Sequence, residues 1–180
     1  MFSPRHFADF GNADAVRKAL SRLAKAGKIR RIRRGLYDLP QAHPIIGRTA
    51  PDIMATVQAL MEGSHAQWQF TGAYAANALG LSDQVPAKVI ILTDGVPRKV
   101  SLGKLILVFR RAAPRNLLGV GTRAGLVIQA LRYLRGSTDM AKHVARLRRN
   151  LDARTKKDLA SITPKLVAWM RPIVQQITVP

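Results

Sequence analysis

The strongest constraint in the chain is the punctuation between Asn12 and Pro40. Asn12 is a good helix N-cap, and Val16, Leu20, Leu23 and Ala24 recur at i, i+4, i+7 and i+8, one stripe of a 3.6-residue period. Gly27 stands where a helix over 12–26 must stop. The run KIRRIRRGLYDLP at 28–40 follows at once. It splits around Arg34 and Gly35 into two short strands, the second stopped by Pro40. Upstream, Ser3 and Pro4 open a short helix that ends at Gly11, with Phe7 and Phe10 on its apolar side. A short helix, a glycine turn, an amphipathic helix and a basic hairpin therefore come in immediate succession.

Charge says what such a unit faces. Residues 1–40 carry ten basic and three acidic side chains, net +7, within a 180-residue chain of net +20. Unless a polyanion neutralises it, this excess remains as self-repulsion. The first partner to expect is nucleic acid, and an anionic membrane surface comes second. With 47% apolar residues the chain can build a core and is not a disordered basic tail. It has no cysteine, so disulfides, thiolate metal sites and cysteine nucleophiles are excluded. Glu62 is the one glutamate and the nine aspartates are scattered, leaving little for paired acid/base catalysis. A non-enzymatic chain without cofactor or metal follows. No apolar run has the length of a membrane span or a signal peptide, and the expectation is a soluble cytoplasmic protein.

A winged helix-turn-helix fits this succession. Its second helix would enter a major groove and present Asn12, Asp14, Arg17, Lys18, Ser21, Arg22 and Lys25. The wing would lay Lys28, Arg30, Arg31, Arg33 and Arg34 along phosphates or into the minor groove. Double-stranded DNA is the expected partner, as an inverted-repeat operator bound by a homodimer or by successive monomers. Structured RNA or tRNA on the same basic surfaces is the alternative.

The rest of the chain reads as α+β. Residues 41–63 form a turn-rich linker and a connecting helix from about Pro51 to Met61. Residues 64–180 form a second domain with a small antiparallel sheet and C-terminal helices. Its expected strands are Trp68–Phe70, Lys88–Leu92, Arg98–Ser101 and Lys104–Arg110, the last three as a meander. Helices are expected over 73–79, 122–134, 139–151, 153–162 and 164–177. The densest charge here, Lys142, Arg146, Arg148, Arg149, Arg154, Lys156 and Lys157, makes a second basic patch, either a second nucleic-acid grip or a solvated face.

The stretch 2–40 resembles the N-terminal domain of AbiEi-type antitoxins of type IV toxin–antitoxin systems. The resemblance is carried by HFADFG at 6–11, AVRKALSRL at 15–23 and RRGLYDLP at 33–40. Further along it is carried by TGAYAANALGLS at 71–82, QVPAK at 84–88, LTDG at 92–95 and QALRYL at 129–134. It implies a winged-helix repressor of its own operon that counteracts a nucleotidyltransferase-like toxin without needing a stable complex. The antitoxic action would lie in residues 64–180. It also implies one more helix before the FSP segment. Either the start used here lies late, or residues 52–61 fold back to cover the apolar stripe.

Other constellations are weaker. Gly119, Gly121 and Ala124 fit G-x-G-x-x-A, but a proline-containing loop separates them from the preceding strand, so they read as a flexible lead-in to a helix. His6, His43, His65 and His143 have no metal-ligand spacing. Trp68, Trp169 and Met170 read as core residues.

Overall fold

The computed structural model describes residues 1–43, 47–103 and 105–179 of an α+β chain. It comprises two units, Met1–His65 and Ala66–Pro180, so residues 41–63 group with the first.

In the first unit, Ser3 and His6 cap each other at the start of a 3-10 helix, Pro4–Phe10, which kinks at Phe7. Helix α1 (Ala13–Lys25) starts at Asn12, whose Oδ1 accepts the Ala15 N–H at 2.8 Å. Gly27, at φ +69°, turns the chain out of it. Strands β1 (Arg30–Arg33) and β2 (Leu36–Asp38) pair antiparallel, with Gly35 at φ +77° in the turn and a bulge between Arg31 and Arg33. Phe2 bridges to β2 on the side away from β1. It exchanges both backbone hydrogen bonds with Tyr37, each 2.9 Å. Val16, Leu20, Ile29 and Tyr37 form the core, and Phe2, Phe7 and Ala24 pack on its edge. Strands β3 (Ala42–His43) and β4 (Gly47–Arg48) pair next, where a linker was expected. Helix α2 (Ile53–Met61) is capped by Asp52. Among the described residues no α2 side chain joins the core under α1. The chain just past α2 lies beside the 3-10 helix instead, with Glu62 Oε1 3.8 Å from His6 Nε2.

The second unit holds strands β5 (Trp68–Thr71), β6 (Lys88–Thr93), β7 (Arg98–Leu102) and β8 (Leu105–Arg111) in the order β5-β6-β8-β7. The expected all-antiparallel meander is wrong. β8 pairs parallel to β6, and the sheet is mixed. Burial explains the order. β8 carries an unbroken apolar run over 105–109 and takes a central place, whereas β7 exposes Arg98, Lys99 and Ser101 and tolerates the edge.

Helices α3 (Ala73–Ala78), α4 (Arg123–Tyr133), α5 (Met140–Asn150), α6 (Ala153–Ile162) and α7 (Met170–Thr178) share one apolar core around Val127, Leu131, Leu147, Leu159 and Met170. The sheet joins α4 through polar groups. Thr71 Oγ1 donates to Gln129 Oε1 at 2.9 Å, and the Gln69 and Gln129 side-chain amides both donate to the Asn116 carbonyl.

The expected helix over 164–177 is also corrected. A 3-10 turn (Thr163–Lys165) ends at an extended Leu166, and α7 begins afresh at Met170. Proline dictates the break. Within one continuous helix Pro172 would remove an interior hydrogen bond and clash with the preceding turn. In α7 it falls in the first turn, where no intrahelical donor is needed.

Candidate nucleic-acid interface

Seating α1 on Ile29 and Tyr37 through Val16 and Leu20 decides which of its side chains turn outward. Asp14, Arg17 and Ser21 line a groove of about 740 Å³, and the ribbon and the 3-10 helix complete it with Arg31, Arg34 and Arg5. Among the described residues four arginines thus converge on one concavity, with Asp14 the one acidic side chain lining it. Asp14 Oδ1 accepts from Arg17 Nη2 one turn along α1. A neighbouring hollow of about 270 Å³ is shared by Arg5, Arg33, Arg34 and Glu62.

The residues expected at the interface therefore separate. Asp14, Arg17, Ser21, Arg31 and Arg34 meet in the groove, and Arg33 lies in the neighbouring hollow. Lys18, Arg22, Lys25 and Lys28 are exposed without lining it. Asn12 is exposed, but its side-chain oxygen is committed to the helix cap.

Arg30 is the exception among the expected contacts. Its guanidinium forks onto both carboxylate oxygens of Asp38, directly opposite across the ribbon, and donates to the Thr49 carbonyl at 2.6 Å. The Asp38 side chain is only 10% exposed, so this pair fastens β1, β2 and the chain leading to α2.

Arg5 lines the groove although the sequence pattern did not single it out. A cation in the first turn of a helix opposes the helix dipole, and that was its available signal.

The second basic patch falls on two helices. Val144 and Leu147 bury one side of α5 and leave Lys142, Arg146 and Arg149 exposed on the other. Asp139 Oδ1 lies 2.7 Å from Lys142 Nζ. Their hydrogen bond and attraction hold the Asp139 carboxyl below its usual range and the Lys142 ammonium above its own. The Arg146 guanidinium lies over Gly80, where an added Cβ would come within 3.2 Å of Nη2. Arg148 is also exposed on α5. On α6, Arg154 and Lys157 are exposed, and Lys156 and Lys157 border a shallow hollow of about 550 Å³ beside Thr178 and Val179.

The glycine-rich segment before α4 is built for packing. A Cβ on Gly125 would sit 2.1 Å from the Gly119 carbonyl oxygen. The Gly125 N–H is already bonded to Thr122 Oγ1, the cap of α4. Among the described residues no group of three His, Asp or Glu could hold a metal ion, and no helix is long and apolar enough to cross a membrane.

With this geometry in view, comparison places the chain. Residues 1–159 match DUF6088, a family of unknown function. The chain belongs to this family. The match takes in the arginine groove, the mixed sheet and most of α6. Helix α7, whose Met170, Val174 and Ile177 are fully buried, lies beyond it. No curated protein and no solved structure matches the chain.

Proposed function

We propose that the first unit is a winged-helix module that binds duplex DNA, and that the chain is a transcriptional regulator of its own operon. The observation that carries this reading is the groove in which Arg17 on α1 meets Arg31 and Arg34 on the ribbon. A helix fits the major groove of B-DNA, about 12 Å wide, while an adjoining ribbon follows the backbone. The Phe2–Tyr37 pairing, which adds a third extended segment to the ribbon, also supports a winged helix. Duplex DNA is favoured over RNA for two reasons. The deep, narrow major groove of A-form RNA does not admit side chains for reading bases. Among the described residues the one aromatic lining this groove, Tyr37, is 4% exposed and gives unpaired bases no platform.

The antitoxin role rests on the resemblance of the chain's motifs to those of AbiEi-type antitoxins. The second unit would counteract a nucleotidyltransferase-like toxin encoded beside this chain. Lys142, Arg146 and Arg149 on α5, and Arg154 and Lys157 on α6, are further exposed cations that would take phosphate. On α5 only small alanines, Ala141 and Ala145, are interspersed among these cations, so the outer side of that helix lacks the large apolar side chains that a membrane surface would take up.

A mobility-shift titration tests the first proposal, using the duplex upstream of the gene against bulk tRNA. The expected result is preference for the duplex, with log–log salt dependence near −0.9 per phosphate neutralised. Equal binding to tRNA would overturn the regulator reading. Rescue of growth on co-expression with the adjacent toxin gene tests the antitoxin role.

A further inference from the structure

We propose that Asp14 is a positioning residue that presets Arg17 to read a guanine, so that the pair sets sequence preference in the groove. This deepens the duplex-DNA reading and rests on it. A carboxylate facing a polyanion costs affinity, and a groove built only to hold phosphates would do better without one. Asp14 is nevertheless the one acid among four lining arginines, and it is 78% exposed on its side chain. It does not serve the core, which under α1 is apolar. It does not cap α1 either, because Asn12 does. An exposed ion pair one turn apart contributes little to stability.

What Asp14 does hold is the orientation of Arg17, through Nη2 to Oδ1. A guanidinium presents five N–H donors in a planar fork, and one of them fixed by a carboxylate leaves the others aimed. Guanine displays two acceptors, O6 and N7, side by side in the major groove, the pattern such a fork matches. Arg17 is 59% exposed and stands on the helix that the proposed docking places in that groove. Arg31 and Arg34, on the ribbon, have no carboxylate partner among the ion pairs of the described residues, as suits contacts that follow a backbone.

The test selects duplexes from a randomised library with the full-length chain and its Asp14→Asn, Asp14→Ala, Asp14→Glu and Arg17→Ala variants. The wild type should show one G·C position whose preference Arg17→Ala abolishes. Asp14→Asn and Asp14→Ala should weaken preference at that same position about tenfold. Their binding to unrelated duplex should rise, since a negative charge leaves the interface. Asp14→Glu, which can still reach Arg17, should restore most of the preference. Asp14→Ala added to Arg17→Ala should change the profile no further. Melting temperatures of the Asp14→Asn and Asp14→Ala variants should fall by a few degrees at most, the share of a first-turn carboxylate in the dipole of α1, and that of Asp14→Glu should match the wild type, which separates positioning from folding. A selective wild type whose profile survives Asp14→Ala overturns this inference alone. So does an Asp14→Ala that shifts affinity equally for all sequences. A wild type with no duplex preference overturns the reading beneath it.

Discussion

Substituting Arg30 separates holding the ribbon together from the proposed binding of DNA. By sequence Arg30, Arg31, Arg33 and Arg34 look equivalent. In the structure Arg30 is spent on Asp38 and Thr49, while Arg31 and Arg34 face the groove. Arg30→Met keeps the volume of the stem but removes the fork, leaving the Asp38 carboxylate 10% exposed and unpaired. Removing one partner of a fully buried pair costs about 3–5 kcal/mol. Arg30 is itself 26% exposed on its side chain, which lowers the expected loss to about 2 kcal/mol. For a unit of 65 residues that corresponds to a fall in melting temperature of roughly 8–16 °C. Arg31→Ala with Arg34→Ala should leave melting nearly unchanged and flatten the salt slope of duplex binding by about 1.8, two phosphates' worth. Thermal melts by circular dichroism and salt titrations at a temperature where both variants are folded give the two readings. The reasoning fails if Arg30→Met flattens the slope without lowering the melt, or if the Arg31 and Arg34 changes destabilise as much as Arg30→Met.

Gly125→Ala should lower the stability of the second unit by about 3 kcal/mol or more, because its Cβ would meet the Gly119 carbonyl oxygen at 2.1 Å and Gln69 Oε1 at 2.8 Å. A melt within a degree of wild type would contradict the close packing of this turn. Asp152 accepts the Thr155 backbone N–H and hydroxyl, and these bonds hold its carboxyl below the usual range. A depressed folded pKa gives stability that is complete above the unfolded value, near 3.9, and is lost as pH falls through the folded one. Melts from pH 6 to pH 2 should therefore fall less for Asp152→Asn than for wild type over the acid end. Parallel curves would remove the cap from the acid response.

Local chemistry made much of this fold legible. Asn12, Thr122 and Asp152 each end a loop and cap the helix that follows, because their side chains satisfy the N–H group three residues on. The hairpin was readable from Gly35, whose φ of +77° only a glycine adopts easily. Pro172 carried the information that breaks the last helix, and apolar periodicity over 164–177 masked it. The parallel pairing of β6 with β8 was not readable from the strands one at a time. It depends on which apolar run needs both faces covered.

By itself the sequence determined the helices, the ribbon and the basic excess of the first forty residues, since each follows from contacts within a few positions. Only the tertiary structure decided what the individual charges do. Arg30 became a structural tie because its register partner is Asp38 and its third acceptor lies nineteen residues away at Thr49. Arg5 entered the groove because the 3-10 helix, α1 and the ribbon converge there. Such roles depend on partners that the chain brings close only by folding, whereas helical period, capping and charge density are already present along it.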